Sequence, residues 1–359
     1  MNKEIVLRLE PAPDNPRNSE GDFIRLKDGR ILFIYTKFTG GAGDHATAHL
    51  VSRFSDDKGK TWSKEDKEVI ANEGTMNIMS VSLLRLKDGR IALFYLRKNS
   101  GTDCIPFMRI STDEAKTWGP AKPCINEPGY YVLNNDRVIQ LENGRIVLPV
   151  SQHNTPENRR FDTGIISCYF SDDNGGSWEE STHVPNETNV KLQEPGIIEL
   201  NDNRVLLFCR TDAGTQYISY SRDNCETWTS VESGNIKSPL SPASIKRIPQ
   251  TNDLLLVWNN NFEEEKNGGK RTPFNLAISH DEGKNWIKEK TIESDPDGWY
   301  CYTAIDFVGD YVLLGHCAGN RKKSNGLETT QITRLSLGWI YNNTIPKTEQ
   351  NKVRIKHKQ

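Results

Sequence analysis

An all-β fold, read as a six-bladed β-propeller, is what this sequence predicts, and two internal repeats carry the reading. The first is an eight-residue pattern, Ser-x-Asp-x-Gly-x-Thr-Trp in its fullest form, at 55–62, 111–118, 171–178, 221–228 and 279–286. Its Ser and Asp can cap backbone N–H groups in a tight turn, its Gly can take positive φ, and its Trp can pin the turn onto a neighbouring strand. The intervals between the closing tryptophans are 56, 60, 50 and 58 residues, the size of one four-stranded sheet with its loops. The second repeat is a hairpin turn between apolar runs, at Asp28-Gly29, Asp88-Gly89, Asn143-Gly144 and Asp202-Asn203, with looser versions in 247–258 and 306–314. Asp-Gly and Asn-Gly between such runs are strong hairpin signals. Six hairpins against five octets predict six sheets, the last without its octet.

Length and composition fit that plan. A propeller of this size can use residues 1–345 as one domain, leaving 346–359 as a basic tail without apolar periodicity that is expected to be disordered. The charged loop around 262–271 reads as a solvated excursion. A net charge of -2 gives no general attraction to nucleic acid or an anionic membrane. Hydrophobic content of 35% is low for a globular chain but suits thin antiparallel blades. Seven cysteines without a CxxC pair argue against a disulfide framework and against a metal site. No apolar run has the length of a leader or a membrane span, so a cytoplasmic location is expected. A closed ring needs no partner, and a monomer is expected.

In a propeller the innermost strand of each blade starts near the central axis, so polar residues just ahead of each hairpin converge on one face. Those positions hold Arg17-Asn18-Ser19-Glu20-Gly21-Asp22, Met76-Asn77-Ile78-Met79-Ser80, Asn134-Asn135-Asp136-Arg137, Gln193-Glu194, Ser241–Ser244 and Trp299–Tyr302. A second ring, at the ends of the return strands, holds Asp44-His45, Arg97, His153, Arg210 and Arg271.

On its octets and six-fold repeat, nearly the whole chain resembles the sialidase (neuraminidase) superfamily, in which the octet is called the Asp-box. The resemblance implies three arginines for the substrate carboxylate, a tyrosine nucleophile activated by a glutamate, and an aspartate acid/base, with no cofactor and no metal. Matched residue by residue, the arginines are Arg17, Arg210 and Arg271, the pair is Tyr302 with Glu194, and the acid/base is Asp44. The family's Arg-Ile-Pro is absent around Arg17, where Asn18-Ser19-Glu20 follows instead. Glu20, Asp22, Asn135, Asp136, Arg137 and His153 are expected to line the substrate pocket.

The chemistry is self-consistent. An α-keto acid sugar carries a carboxylate on its anomeric carbon, which would repel a carboxylate nucleophile, whereas a neutral tyrosine is not repelled. Its ordinary pKa of about 10 then demands a base as it attacks. Guanidinium groups keep their charge in any pocket and grip carboxylates through paired hydrogen bonds. The expected function is a retaining exo-glycosidase for a terminal sialic acid or related acidic sugar. The alternatives are a non-catalytic propeller that binds acidic glycans, and a lyase on the same scaffold.

Overall fold

A computed structural model describes residues 3–155, 163–261 and 269–342. The loop at 262–268 and the tail at 346–359 lie outside the described residues. Among the described residues are twenty-five strands and one short helix, Leu337–Tyr341, so the all-β expectation holds.

The strands form four sheets of four strands and one of nine. In the four-stranded sheets Arg17–Ile70, Leu192–Lys237 and Ser244–Glu293, sequence neighbours pair antiparallel in chain order. The nine-stranded sheet joins two such groups through a single parallel bridge between Tyr130 and Cys104. The remaining sheet takes its outer strand from the other end of the chain: Lys3–Leu9 pairs with Thr330–Ser336, Leu7 opposite Ile332. That pairing ties the first strand to the last sheet without a disulfide, and all seven cysteines are buried free thiols. No local pattern in the sequence identifies the partner of this first strand.

Six apolar layers separate successive hairpin groups. One, for example, packs Ile24 and Ile34 against Ile78 and Leu93, and another packs Phe23 and Phe33 of the first group against Leu313 and Ile332 of the last. The octets feed these layers. In the first, Ser55 Oγ accepts from the Gly59 N–H at 2.9 Å and Asp57 Oδ1 accepts from the Thr61 N–H at 2.8 Å. The other four repeat this, and the fifth residue has positive φ even where it is Ala115 or Cys225 instead of glycine. The side-chain cap, rather than glycine alone, therefore fixes the turn. Trp62 then packs on Phe23 and Phe33, and Trp178 reaches Phe94 of the preceding group.

A third repeat was invisible in the sequence. On four inner strands the register slips, between Ser19 and Asp22, Met79 and Ser82, Gln193 and Gly196, and Cys301 and Ala304. At each slip a non-glycine residue has left-handed φ: Glu20 at 52°, Ser80 at 62°, Glu194 at 49° and Tyr302 at 55°; Asp136, at 55°, is the counterpart in the third group. A bulge of this kind re-aims one side chain, and each such residue costs on the order of 1–3 kcal/mol that its surroundings must offset. Part of the offset is packing beneath the bulge. A Cβ on Gly21 would lie 2.5 Å from Phe33 Cζ and 2.7 Å from the Ile34 carbonyl oxygen. Gly21→Ala should therefore lower stability by about 1–3 kcal/mol, measurable by urea unfolding.

Candidate active site

The bulges bring Tyr302 and Glu194, 108 residues apart in sequence, to one point. Tyr302 Oη donates to Glu194 Oε1 at 3.1 Å, and Arg210 Nη1 donates to Glu194 Oε2 at 2.7 Å. Arg271 lies over the Tyr302 ring at 5.2 Å and over Trp299 at 5.1 Å. Its Nε and Nη1 are buried and make no hydrogen bond of good geometry among the described residues, with the Tyr302 hydroxyl and the Cys301 sulfur close to the guanidinium. A buried donor left unsatisfied costs about 1–3 kcal/mol, so this guanidinium is set up to receive an acceptor.

Electrostatics fix the protonation states. Burial pushes the Glu194 carboxyl up, but Arg210 and Arg271 outweigh it and hold the group below the usual carboxylate range. Burial, together with the Glu194 charge, drives the Tyr302 phenol far above its usual value despite both arginines. The resting pair is thus a neutral phenol donating to a carboxylate, the state in which Glu194 can accept the tyrosine proton.

Arg17 builds the second half of the site. Its Nη1 donates to Asp44 Oδ1 at 2.5 Å and its Nη2 to Glu20 Oε1 at 2.9 Å, while Phe38 covers one face at 4.4 Å. Glu20 also accepts from Ser80 Oγ. Burial lifts the Glu20 carboxyl above its usual range against the pull of Arg17. The Asp44 carboxyl, also raised by burial, is pulled below its usual range by the Arg17 charge and hydrogen bond. An acid for a leaving oxygen needs a raised pKa from partial burial, whereas here a guanidinium sits on the carboxyl and lowers it.

The two halves belong to one centre. Asn135 Nδ2 donates to the Gly21 carbonyl at 2.8 Å and to the Tyr302 carbonyl at 3.1 Å, so both bulges lie within reach of one amide. A cleft of about 290 Å³ opens beside Glu194 and Arg210, lined also by His45, Tyr130, His153 and Gln193; Tyr302, Arg271, Arg17 and Asp44 are not among its lining residues.

Three of the proposed substrate contacts need correction. Asp22 is buried and its two oxygens accept the N–H groups of Phe23 and Leu83, each at 2.7 Å, so it staples two inner strands. Asp136 takes Lys246 Nζ at 2.6 Å and the Ile305 N–H at 2.8 Å, again a join between sheets. Arg137 is buried, with Nη2 on the Ala243 carbonyl at 2.6 Å and its guanidinium over Phe208. Asn135, by contrast, spends only its amide nitrogen on the two bulge carbonyls just described, and its Oδ1 is buried without a hydrogen-bond partner among the described residues. Asp22, Asp136 and Arg137 sit at the right distance from a hairpin, but the αL turn that puts Glu20 on Arg17 and Glu194 in the cleft directs Asp136 at a lysine. His153 does line the cleft, with Nε2 at 3.0 Å from Ser151 Oγ.

Sequence reasoning missed Lys98 and Tyr130. Lys98 is 2% exposed, donates to the Asp44 carbonyl at 2.9 Å and lies over the Tyr130 ring. Strand alternation held the signal: Lys98 shares a face with Phe94 and Leu96, whereas its neighbour Arg97 stacks outward on Phe107.

A propeller-type scaffold carrying a Tyr–Glu pair among buried guanidinium groups defines a sialidase-like protein. The chain belongs to the family of the BNR repeat-like domain, matched over residues 52–313. A sialidase of Clostridium perfringens is 27% identical over 250 residues, covering 60% of this chain; the match spans 62% of that relative's length. Among solved structures, a protein of unknown function from Dyadobacter fermentans is 19% identical with a TM-score of 0.72, covering 93% of this chain and 99% of its own. The NanB sialidase of Streptococcus pneumoniae is 15% identical at 0.72, covering 94% and 71%. The intramolecular trans-sialidase of Ruminococcus gnavus, solved with oseltamivir carboxylate, is 13% identical at 0.74, covering 94% and 98%. At these identities the structural likenesses establish the fold.

Proposed function

We propose that the chain is a six-bladed propeller and a retaining exo-glycosidase acting on a terminal sialic acid or a related acidic sugar. Six apolar layers, the last joining the final hairpin group to the first, support the blade count; on this reading the nine-stranded sheet is two blades bridged at Tyr130. One observation carries the activity: the Tyr302 hydroxyl bonded to an ionised Glu194 at 3.1 Å, with Arg210 and Arg271 beside them.

In the first step the substrate carboxylate rests on Arg271, Arg210 and Arg17. Tyr302 Oη attacks the anomeric carbon as its proton passes to Glu194 Oε1, and Asp44 gives a proton to the leaving oxygen as the glycosidic bond breaks. In the second step Asp44 takes a proton from water, the water oxygen displaces the phenol oxygen, and Glu194 returns its proton to Tyr302. Two inversions give net retention. Asp44 has the exposure this needs, since its side chain is 58% exposed beside a guanidinium that is 1% exposed.

The test is release of a fluorescent phenol from an α-sialoside, with NMR of the first sugar anomer formed. Retention is expected in the wild type, and Arg271→Ala should lower kcat/KM by roughly 10- to 150-fold, the loss of one charged hydrogen-bonding pair. Inertness of the wild type on all acidic-sugar glycosides would abandon hydrolysis. The competing reading, a binding module, is favoured by one observation, the hold of Arg17 on Asp44, which lowers the pKa of that carboxyl. Saturable binding without turnover would select it.

A further inference from the structure

The proton donor required by the proposed function is held by Arg17 Nη1, a contact that favours its ionised form. Arg17 holds Asp44, yet the same guanidinium is needed by the substrate carboxylate. We propose that carboxylate capture by Arg17 releases Asp44 and thereby loads it with the proton used on the leaving group, so that substrate binding itself arms the acid. This inference rests on the reading of the site given above.

The geometry makes the exchange asymmetric. Of the two carboxylates on Arg17, Glu20 is buried, sits on Nη2 and is also held by Ser80, whereas Asp44 sits on Nη1 and is largely exposed. An incoming carboxylate therefore displaces Asp44 and leaves Glu20 in place. Asp44 does not drift away when this happens, because its main chain is anchored separately. Its carbonyl accepts from Asn77 Nδ2 at 2.9 Å and from Lys98 Nζ at 2.9 Å, and Asn77 also holds the Ala46 carbonyl at 2.8 Å. Lys98 and Asn77 are thus positioning residues for the acid.

Once released, Asp44 loses a charge-assisted hydrogen bond and faces a second carboxylate, and both changes favour its neutral form. The other charged or titratable groups within electrostatic reach are Lys98, from the strand Ile91–Ser100, His45 beside it, Glu20 on Arg17–Arg25 and Tyr130 on Tyr130–Val132. Lys98 and His45 oppose protonation. The proton taken up comes from buffer, one per site, and leaves on the aglycone oxygen in the first chemical step.

Proton counting tests this without turnover. The 2,3-unsaturated form of sialic acid, whose flattened ring resembles an oxocarbenium ion, is titrated into wild type and Asp44→Asn by calorimetry at about pH 5 in buffers of different ionisation enthalpy. Wild type should take up a large part of one proton on binding, and Asp44→Asn should bind while taking up far less. Binding with no uptake by the wild type, or with equal uptake by both proteins, overturns the coupling and leaves the reading of the site standing. Absence of binding to either protein overturns the site reading and the coupling with it.

Discussion

Tyr302→Phe should lower kcat on an acidic-sugar glycoside by about 10³-fold or more while changing the affinity for a sugar-acid inhibitor little. On the proposed mechanism the lost atom is the nucleophile and nothing else. The ring that carries Arg271 at 5.2 Å remains, and so does the bulge that aims it. Glu194 loses one hydrogen bond, but Arg210 still holds its other oxygen at 2.7 Å. Stability should therefore fall by only about 1 kcal/mol, the usual size of one net hydrogen bond. A split between large kcat loss and near-constant inhibitor Kd is what separates a nucleophile from a wall residue. Equal losses in both would mean that Tyr302 binds rather than reacts, and unchanged kcat would remove it from the chemistry.

The sequence showed the scaffold more clearly than the site, for a physical reason. Octets and hairpins are local: Ser55, Asp57, Gly59 and Thr61 bond one another, so the pattern that makes the turn is written in adjacent residues. Pairing of Lys3–Leu9 with Thr330–Ser336 joins residues more than 320 apart, and no local pattern encodes it. For the site, proximity to a hairpin found Glu194, Tyr302, Glu20 and Arg17, but it also gathered Asp22 and Asp136, whose oxygens are taken by neighbouring strands. What sorts them is the bulge and the partner on a neighbouring sheet, and both exist only once the sheets have packed together. Lys98 escaped because a lysine in an apolar strand looks like an exposed edge residue until its face is known.

The second large effect concerns the base. Glu194 stands between Arg210 and the phenol, with Arg271 close by, in a place that is largely shut off from water. Replacing it with Gln keeps the shape and removes the negative charge, leaving two guanidinium groups without their counter-charge. Breaking a buried pair from one side costs about 3–5 kcal/mol, and loss of a general base costs about 10²–10⁴ in rate. Glu194→Gln should thus lose both, read by urea unfolding and by turnover at neutral pH. The sign of the pH dependence follows from the depressed carboxyl: its contribution to stability is present above the unfolded carboxylate pKa of about 4.3 and is lost as pH falls through the folded value. The stability gap between wild type and Glu194→Gln should therefore be full at pH 7 and shrink below about pH 4. Adding Arg210→Met to Glu194→Gln separates the two roles, because removing the orphaned cation should return part of the stability but none of the rate. Recovery of turnover in the double variant would show that Glu194 holds the arginines apart and takes no proton from Tyr302.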